Sequence, residues 1–137
     1  MKDKIIVSVI GAGGKMGTRV TNNLAKHPES VELLFCETSE GGIAAIQARG
    51  FSTVATDTAV PRSDIVVLAI PDVLIKTVSV GIVKMMRPGA TMIILDPAAA
   101  VAKELALRDD CTFVVTHPCH PSWFIDQETP EARKDYF

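Results

Sequence analysis

Apolar positions along the chain fall into two alternating rhythms. Ile5–Ile10 (IIVSVI) is β-branched and almost wholly apolar, as a strand buried on both faces would be. It stops at a glycine cluster, and a second period takes over. Met16, Val20 and Leu24 recur every four residues, which predicts one stripe of a helix. His27 and Pro28 predict its end, because the residue before a proline avoids the helical region. Val31–Cys36 is a second apolar run. Thr38 or Ser39 can then cap a short helix carrying Ile43 and Ile46, with Gly50 as its stop. Residues 52–55 predict a weak third strand.

The clearest unit follows. Residues 64–72 (DIVVLAIPD) read as a strand that ends in proline. Asp72 can cap a helix with Leu74, Ile75, Val78, Ile82 and Met85 on one side. A turn at 87–90 (RPGA) leads to the strand 91–97 (TMIILDP), which also closes on a proline. Residues 98–107 predict a modest helix with Val101 and Leu105 inward. A sixth strand is predicted at 111–118 (CTFVVTHP).

Strands that alternate with helices give a parallel sheet, because parallel neighbours need long crossover connections. Right-handed crossovers then favour a three-layer αβα, doubly wound α/β fold with strand order 3-2-1-4-5-6. The unusual residues collect at the predicted C-terminal strand ends: Gly11, Glu37, Pro71 with Asp72, Asp96 with Pro97, and His117 to His120. In such sheets a ligand binds outside those ends, where the strand order reverses.

Composition narrows the classes of function. The chain has 137 residues, 47% of them hydrophobic, which suits one domain with a core of its own. A net charge of −2 and a pI near 5.9 lend no support to nucleic-acid or anionic-membrane binding. No apolar run approaches the ~18 residues that span a bilayer. Lysines before Ile5 imitate a secretion signal, but the apolar run is short and ends in Gly11 rather than a cleavage-type site. Three scattered cysteines, Cys36, Cys111 and Cys119, do not form a disulfide framework, and the expected location is the reducing cytoplasm.

Candidate chemistry begins at residues 11–17 (GAGGKMG). Gly11, Gly13, Gly14 and Gly17 lie between a strand and a helix, where bare backbone allows close approach of another group. The helix start offers unpaired N–H groups and a positive partial charge, which suit a pyrophosphate without any basic side chain. Gly11, Ala12, Gly13, Gly14, Lys15, Met16 and Gly17 are therefore the candidate cofactor contacts. The spacing is G-x-G-G-x-x-G rather than G-x-G-x-x-G, and a tight turn with no ligand is the alternative. Glu37 ends the second strand, somewhat further on than the usual ~20 residues. A carboxylate there can take both ribose hydroxyls of NAD and repel the 2′-phosphate of NADP. Residues 37–42 (ETSEGG) hold no arginine to pair with that phosphate. Both points favour NAD over NADP; a solvated loop acid, or Glu40 in its stead, is the alternative. Ala69, Ile70, Pro71 and Asp72 should lie beside the cofactor's other half. Asp96, with the small residues after it, should lie near the nicotinamide.

Residues 116–124 (THPCHPSWF) are chemically dense. His117 and His120 are candidate catalytic or substrate-contacting groups. The spacing matches no common zinc pattern, so no metal is expected. Cys119 lacks thiolate-stabilising neighbours other than the histidines. A rigid exit loop bonded to backbone is the alternative. Trp123 and Phe124 can be core, or can face something outside this chain.

The stretches VIGAGGKMG, VVLAIPD, IILDPAA and VTHPCHPSWF, in this order, resemble the NAD-binding Rossmann half of the 6-phosphogluconate and β-hydroxyacid dehydrogenase-like superfamily. Within it they resemble the D-apionate oxidoisomerase-like proteins, also labelled phosphogluconate dehydrogenases. The pairing of LDPAA with HPCHP is more specific than the glycine turn, which dihydrodipicolinate reductases share. The resemblance implies an oxidoreductase that moves hydride from a hydroxyl of a sugar acid or related polyhydroxy acid. It implies a Rossmann domain over 1–125, and at 126–137 the start of a helix into a C-terminal helical domain. That second domain would supply homodimer contacts, much of the substrate site and the principal base. Thr129, Pro130 and Glu131 suit such a helix start. The expectation is a domain inactive alone. Rivals are a nucleotide-binding sensor without catalysis, a non-binding structural module, and an enzyme resembling prephenate dehydrogenase, ketol-acid reductoisomerase or dihydrodipicolinate reductase.

Overall fold

The computed structural model describes residues 4–117 and 129–131. In chain order the elements are β1 (Ile5–Ile10), α1 (Lys15–Leu24), β2 (Val31–Cys36), α2 (Glu40–Ala48), α3 (Thr56–Ala59) and a 3-10 turn at Val60–Arg62. Then come β3 (Ile65–Leu68), α4 (Asp72–Met85), β4 (Thr91–Ile94), α5 (Ala98–Val101) and β5 (Thr112–Val115). All the strand pairs are parallel, and the sheet runs β2-β1-β3-β4-β5. The chain crosses over after β2, so the order reverses between β1 and β3.

This is the doubly wound Rossmann arrangement expected, with one strand fewer. The predicted third strand shrinks to a single parallel bridge between Thr53 and Phe35, held by Val54 N–H donating to Phe35 O at 2.8 Å. Gly50 turns with φ +81 and α3 begins at Thr56, so little chain remains for a ladder.

Each face of the sheet has its own core. Ile10, Leu34, Val66, Leu68, Met92 and Ile94 pack under α4, which brings Ile75, Ile82 and Val83. Fully burying a side chain of this size contributes about 1.5–3 kcal/mol. Val7, Val9, Phe35 and Val67 form the other face with Ile46 of α2, and Val20 and Leu24 of α1 pack against them. The third member of the predicted α1 stripe, Met16, is not in that core; it sits at the sheet's end, where the site lies.

Two helix readings need correction. Asp72 is not a side-chain cap: the N-cap position belongs to Pro71, with no side-chain bond, and Asp72 is the first helical residue. Its carboxylate favours that end through the helix dipole instead. The helix predicted over 98–107 stops at Val101, and Val101 points to solvent at 80% exposure. Lys103 takes φ +59, which breaks the helical path, and only Leu105 reaches the core as expected. Ser39, one of the two candidate caps, does accept from Gly42 N–H at the start of α2. Pro130 and Glu131 are helical.

Candidate functional site

The β1–α1 turn is built by contacts that exclude side chains. Gly11 has φ +80, a conformation that a side chain rarely tolerates. A Cβ on Gly17 would sit 2.0 Å from Gly11 O, so α1 can approach the turn this closely only with glycine there. A Cβ on Gly13 would lie 2.4 Å from Gly42 Cα, so the turn also leans directly on the start of α2. Gly14 differs: a Cβ there would meet nothing nearer than 3.4 Å.

The turn's own hydrogen bonds narrow the place for an anion. Gly11 and Ala12 N–H both donate to Cys36 O, at 2.9 and 3.1 Å, and Gly14 N–H donates to Gly11 O at 3.1 Å. Gly13 N–H donates to Glu37 Oε2 at 3.0 Å. The expectation that peptide N–H groups across 11–17 face a ligand is therefore too broad. The anion's place is then the first turn of α1, whose N-cap Gly14 supplies no side-chain bond and which holds no acid. Helix geometry directs first-turn N–H groups out of that end.

Glu37 follows directly on β2 and holds the turn. Its Oε1 accepts from Thr38 N–H (2.8 Å), Ser39 N–H (3.0 Å) and Ser39 Oγ (3.0 Å), and its Oε2 holds Gly13. Burial pushes the carboxyl pKa up, but the hydrogen bonds from Ser39, Thr38 and Gly13 together outweigh it and leave it below the ordinary value. The group is a fixed anion at the mouth of the site.

At the strand ends lies a cleft in two halves. The first, about 490 Å³, runs between the glycine turn, Glu37 and the start of α4, and its apolar wall includes Ile70, Leu74 and Val78. The second, about 450 Å³, gathers Lys15, Met16, Asp72, Leu95, Asp96 and His117. Gly14, Ala69, Ile70 and Pro71 line both halves and lie where they meet. The cleft thus brings together the turn, the ends of β2, β3 and β4, and His117 beyond β5. Two of the predicted contacts line neither half: Ala12 is fully buried behind the turn, and Gly17 lies under it against Gly11 O. Their part is support. Asp96 Oδ1 accepts from Ala98 N–H at 2.8 Å, which steadies the carboxylate at its post. His120, Cys119, Trp123 and Phe124 lie outside the described residues.

Several site features escaped the sequence reading. Thr56, Leu74 and Val78 line the first half, although Leu74 and Val78 read only as a helix stripe. The adjacent glycines Gly41 and Gly42 were a usable sign, since glycine inside a helix costs about 1 kcal/mol. At Gly42 a Cβ would lie 2.5 Å from the Glu37 carboxyl carbon. Cys36 also lines this half. Burial raises its pKa to about 11, against a hydrogen bond with Thr56 that lowers it, so at neutral pH it is a thiol and a poor nucleophile. Among the described residues no helix is long and apolar enough to cross a membrane, and no three His, Cys, Asp or Glu side chains are grouped to hold a metal ion.

A family model described as "Acetohydroxy acid isomeroreductase, NADPH-binding domain" matches residues 1–129. The chain belongs to this family. Curated relatives named D-apionate oxidoisomerase agree with the resemblance seen in the motifs. The protein from Blautia hydrogenotrophica is 61% identical over 98% of this chain and 47% of its own length. That from Pectobacterium atrosepticum is 42% identical over 96% of this chain and 45% of its own length. The chain spans about half the length of the curated relatives it matches. A solved structure described as a semialdehyde dehydrogenase NAD-binding protein from Cupriavidus necator, in complex with calcium and NAD, superposes with a TM-score of 0.88. It is 40% identical, covering 98% of this chain and 49% of that one.

Proposed function

We propose that this domain seats NAD in the two-part cleft and serves, in a longer protein, the oxidation of a sugar acid such as D-apionate. The observation that carries the reading is the lining that the two halves share at Gly14, Ala69, Ile70 and Pro71. A dinucleotide is two nucleosides joined by a diphosphate, and the cleft is two chambers joined where Gly14 meets the exposed start of α1. The residues present fit such a ligand: the first turn of α1 would take the diphosphate, and Gly14 leaves room where a side chain would intrude. Glu37 would take the adenosine ribose hydroxyls on its Oε2 side, and Leu74 with Val78 would flank the adenine.

The family is described by NADPH and the Cupriavidus necator structure by NAD. Glu37 favours NAD, because a fixed anion with a lowered pKa repels a 2′-phosphate. When bound, NAD supplies a hydride acceptor. In the second half Lys15 and Asp96 would orient a polyhydroxy acid. As the carbinol C–H bond breaks and its electron pair leaves as hydride, the hydroxyl proton must pass to a base. His117 lies in that chamber and would take it or relay it, beside a principal base outside this domain. In this reading 1–125 is the domain and 126–137 leads into a helical region through which a cytoplasmic homodimer forms. The curated relatives' double length supports the longer protein in this reading.

Calorimetric titration of the chain with NAD and with NADP tests the reading. NAD should bind, and more tightly than NADP. No heat from either, with the chain folded, overturns the dinucleotide reading.

A further inference from the structure

Behind the turn, away from the cleft, one guanidinium gathers an unusual number of partners. Arg49 ends α2 and lines neither half of the cleft. Its Nη2 donates to Ala12 O at 3.3 Å. Its Nη1 donates to Thr21 Oγ1 and Asn22 Oδ1, each at 2.9 Å. Its plane is backed by the stacked rings of Phe35 and Phe51, with centroids 5.7 and 5.9 Å away, where cation–π attraction holds it.

Two of those partners lead into the turn. Ala12 O belongs to the peptide whose other end is Gly13 N–H, and that N–H donates to Glu37 Oε2. The Ala12–Gly13 peptide plane is thus gripped at both ends, by a cation at its oxygen and an anion at its N–H. Each charge polarises the peptide in the same sense, so each bond strengthens the other. The second path runs through Thr21, fully buried, whose hydroxyl donates to Gly17 O at 2.8 Å. Arg49 therefore braces the turn on both sides of the first residues of α1.

We propose that Arg49 is a positioning residue for the dinucleotide: from behind, it holds the Ala12–Gly13 peptide and the Gly17 carbonyl so that Glu37 and the start of α1 are already set when the ligand arrives. This rests on the dinucleotide reading of the cleft. Its physical basis is preorganisation, in which a turn already ordered loses less entropy on binding. An ordinary exposed arginine at a helix end would support stability alone.

The test compares Arg49→Met, Arg49→Lys and Asn22→Ala with the parent chain, under conditions where all are folded. The 15N–1H resonance and hydrogen-exchange protection of the Gly13 amide are read without ligand, and NAD affinity by calorimetry. Arg49→Met should move the Gly13 resonance, lower its protection more than that of core strand amides, and weaken NAD about tenfold. Arg49→Lys, which keeps the charge but not the fork, should fall between. Asn22→Ala removes one partner outside the turn and should leave NAD affinity within about twofold. An unmoved Gly13 amide in Arg49→Met overturns the proposal, as does an equal affinity loss in Asn22→Ala. If Arg49→Met does not fold, Arg49→Lys decides by the same two readouts. Should the parent chain bind no NAD, the dinucleotide reading fails by itself, and the Gly13 amide alone decides whether Arg49 sets the turn.

Discussion

The two halves of the cleft are similar in size and unlike in construction. The half beside Glu37 is built around backbone that is already held: the turn bonds to Cys36 O, Gly13 N–H to the Glu37 carboxylate, and Gly42 packs against both. Its polar groups are engaged before any ligand arrives. The half beside His117 is made of side chains on helix starts and beyond strand ends, with Lys15, Asp72 and His117 all exposed. One half is a mould and the other a set of tools. A mould suits the part of a ligand that never changes, and tools suit the part that reacts.

The largest effect should come from breaking the mould. Gly17→Ala puts a Cβ 2.0 Å from Gly11 O, a backbone atom that cannot swing aside. A loss of about 3 kcal/mol is expected from such overpacking, read by urea unfolding; a loss below about 0.5 kcal/mol would mean the turn is not rigid. Next comes a tool. In the longer protein proposed above, His117→Gln should lower kcat about a hundredfold, within the range of a proton-transfer group, while NAD affinity holds. Equal losses in both would make His117 part of the mould.

Glu37→Gln should weaken NAD about tenfold, in line with a charge-assisted bond of about 1.5 kcal/mol, and narrow the gap to NADP. Calorimetry with both ligands reads it, and an unchanged ratio would remove Glu37 from ribose recognition. Its pH dependence has a definite sign. The folded carboxyl pKa is below the ordinary value, so its contribution is complete above the unfolded value near ~4.3. That contribution fades as the pH falls through the lowered folded pKa, and a pH series of melting temperatures on parent and Glu37→Gln should converge in acid. Smallest is Ser8→Ala, in the core away from both halves. Among the described residues Ser8 Oγ is buried without a partner, so its removal should stabilise by up to about 1 kcal/mol and leave NAD affinity unchanged.

The same contrast explains what could be read along the chain. Every strand of the sheet was visible as an apolar run; in β1, β3 and β4 burial on both faces leaves little polar alternation to confuse the pattern, whereas β5, at the edge, is largely exposed among the described residues. The segment at 52–55 has strand-forming residues too, but pairing needs length as well as composition, and only Thr53 finds a partner. Val101 failed for a related reason: periodicity assumes a helix that continues, and Lys103 ends it. In the site, Glu37 was visible through its place at a strand end. Arg49 was not, since nothing near position 49 tells that its guanidinium meets Ala12 and Thr21, far back in the chain.

Local order of residues was enough to set the alternation of strand and helix, the parallel sheet, and a glycine turn where β1 meets α1, because each follows from periodicity and backbone sterics within a few residues. Folding in three dimensions decided which N–H groups the turn itself engages, which acid grips it, and where the chambers meet. Those outcomes depend on pairs distant in sequence, such as Gly13 with Glu37 and Gly42, whose contact exists only after the crossover has laid β2 beside β1.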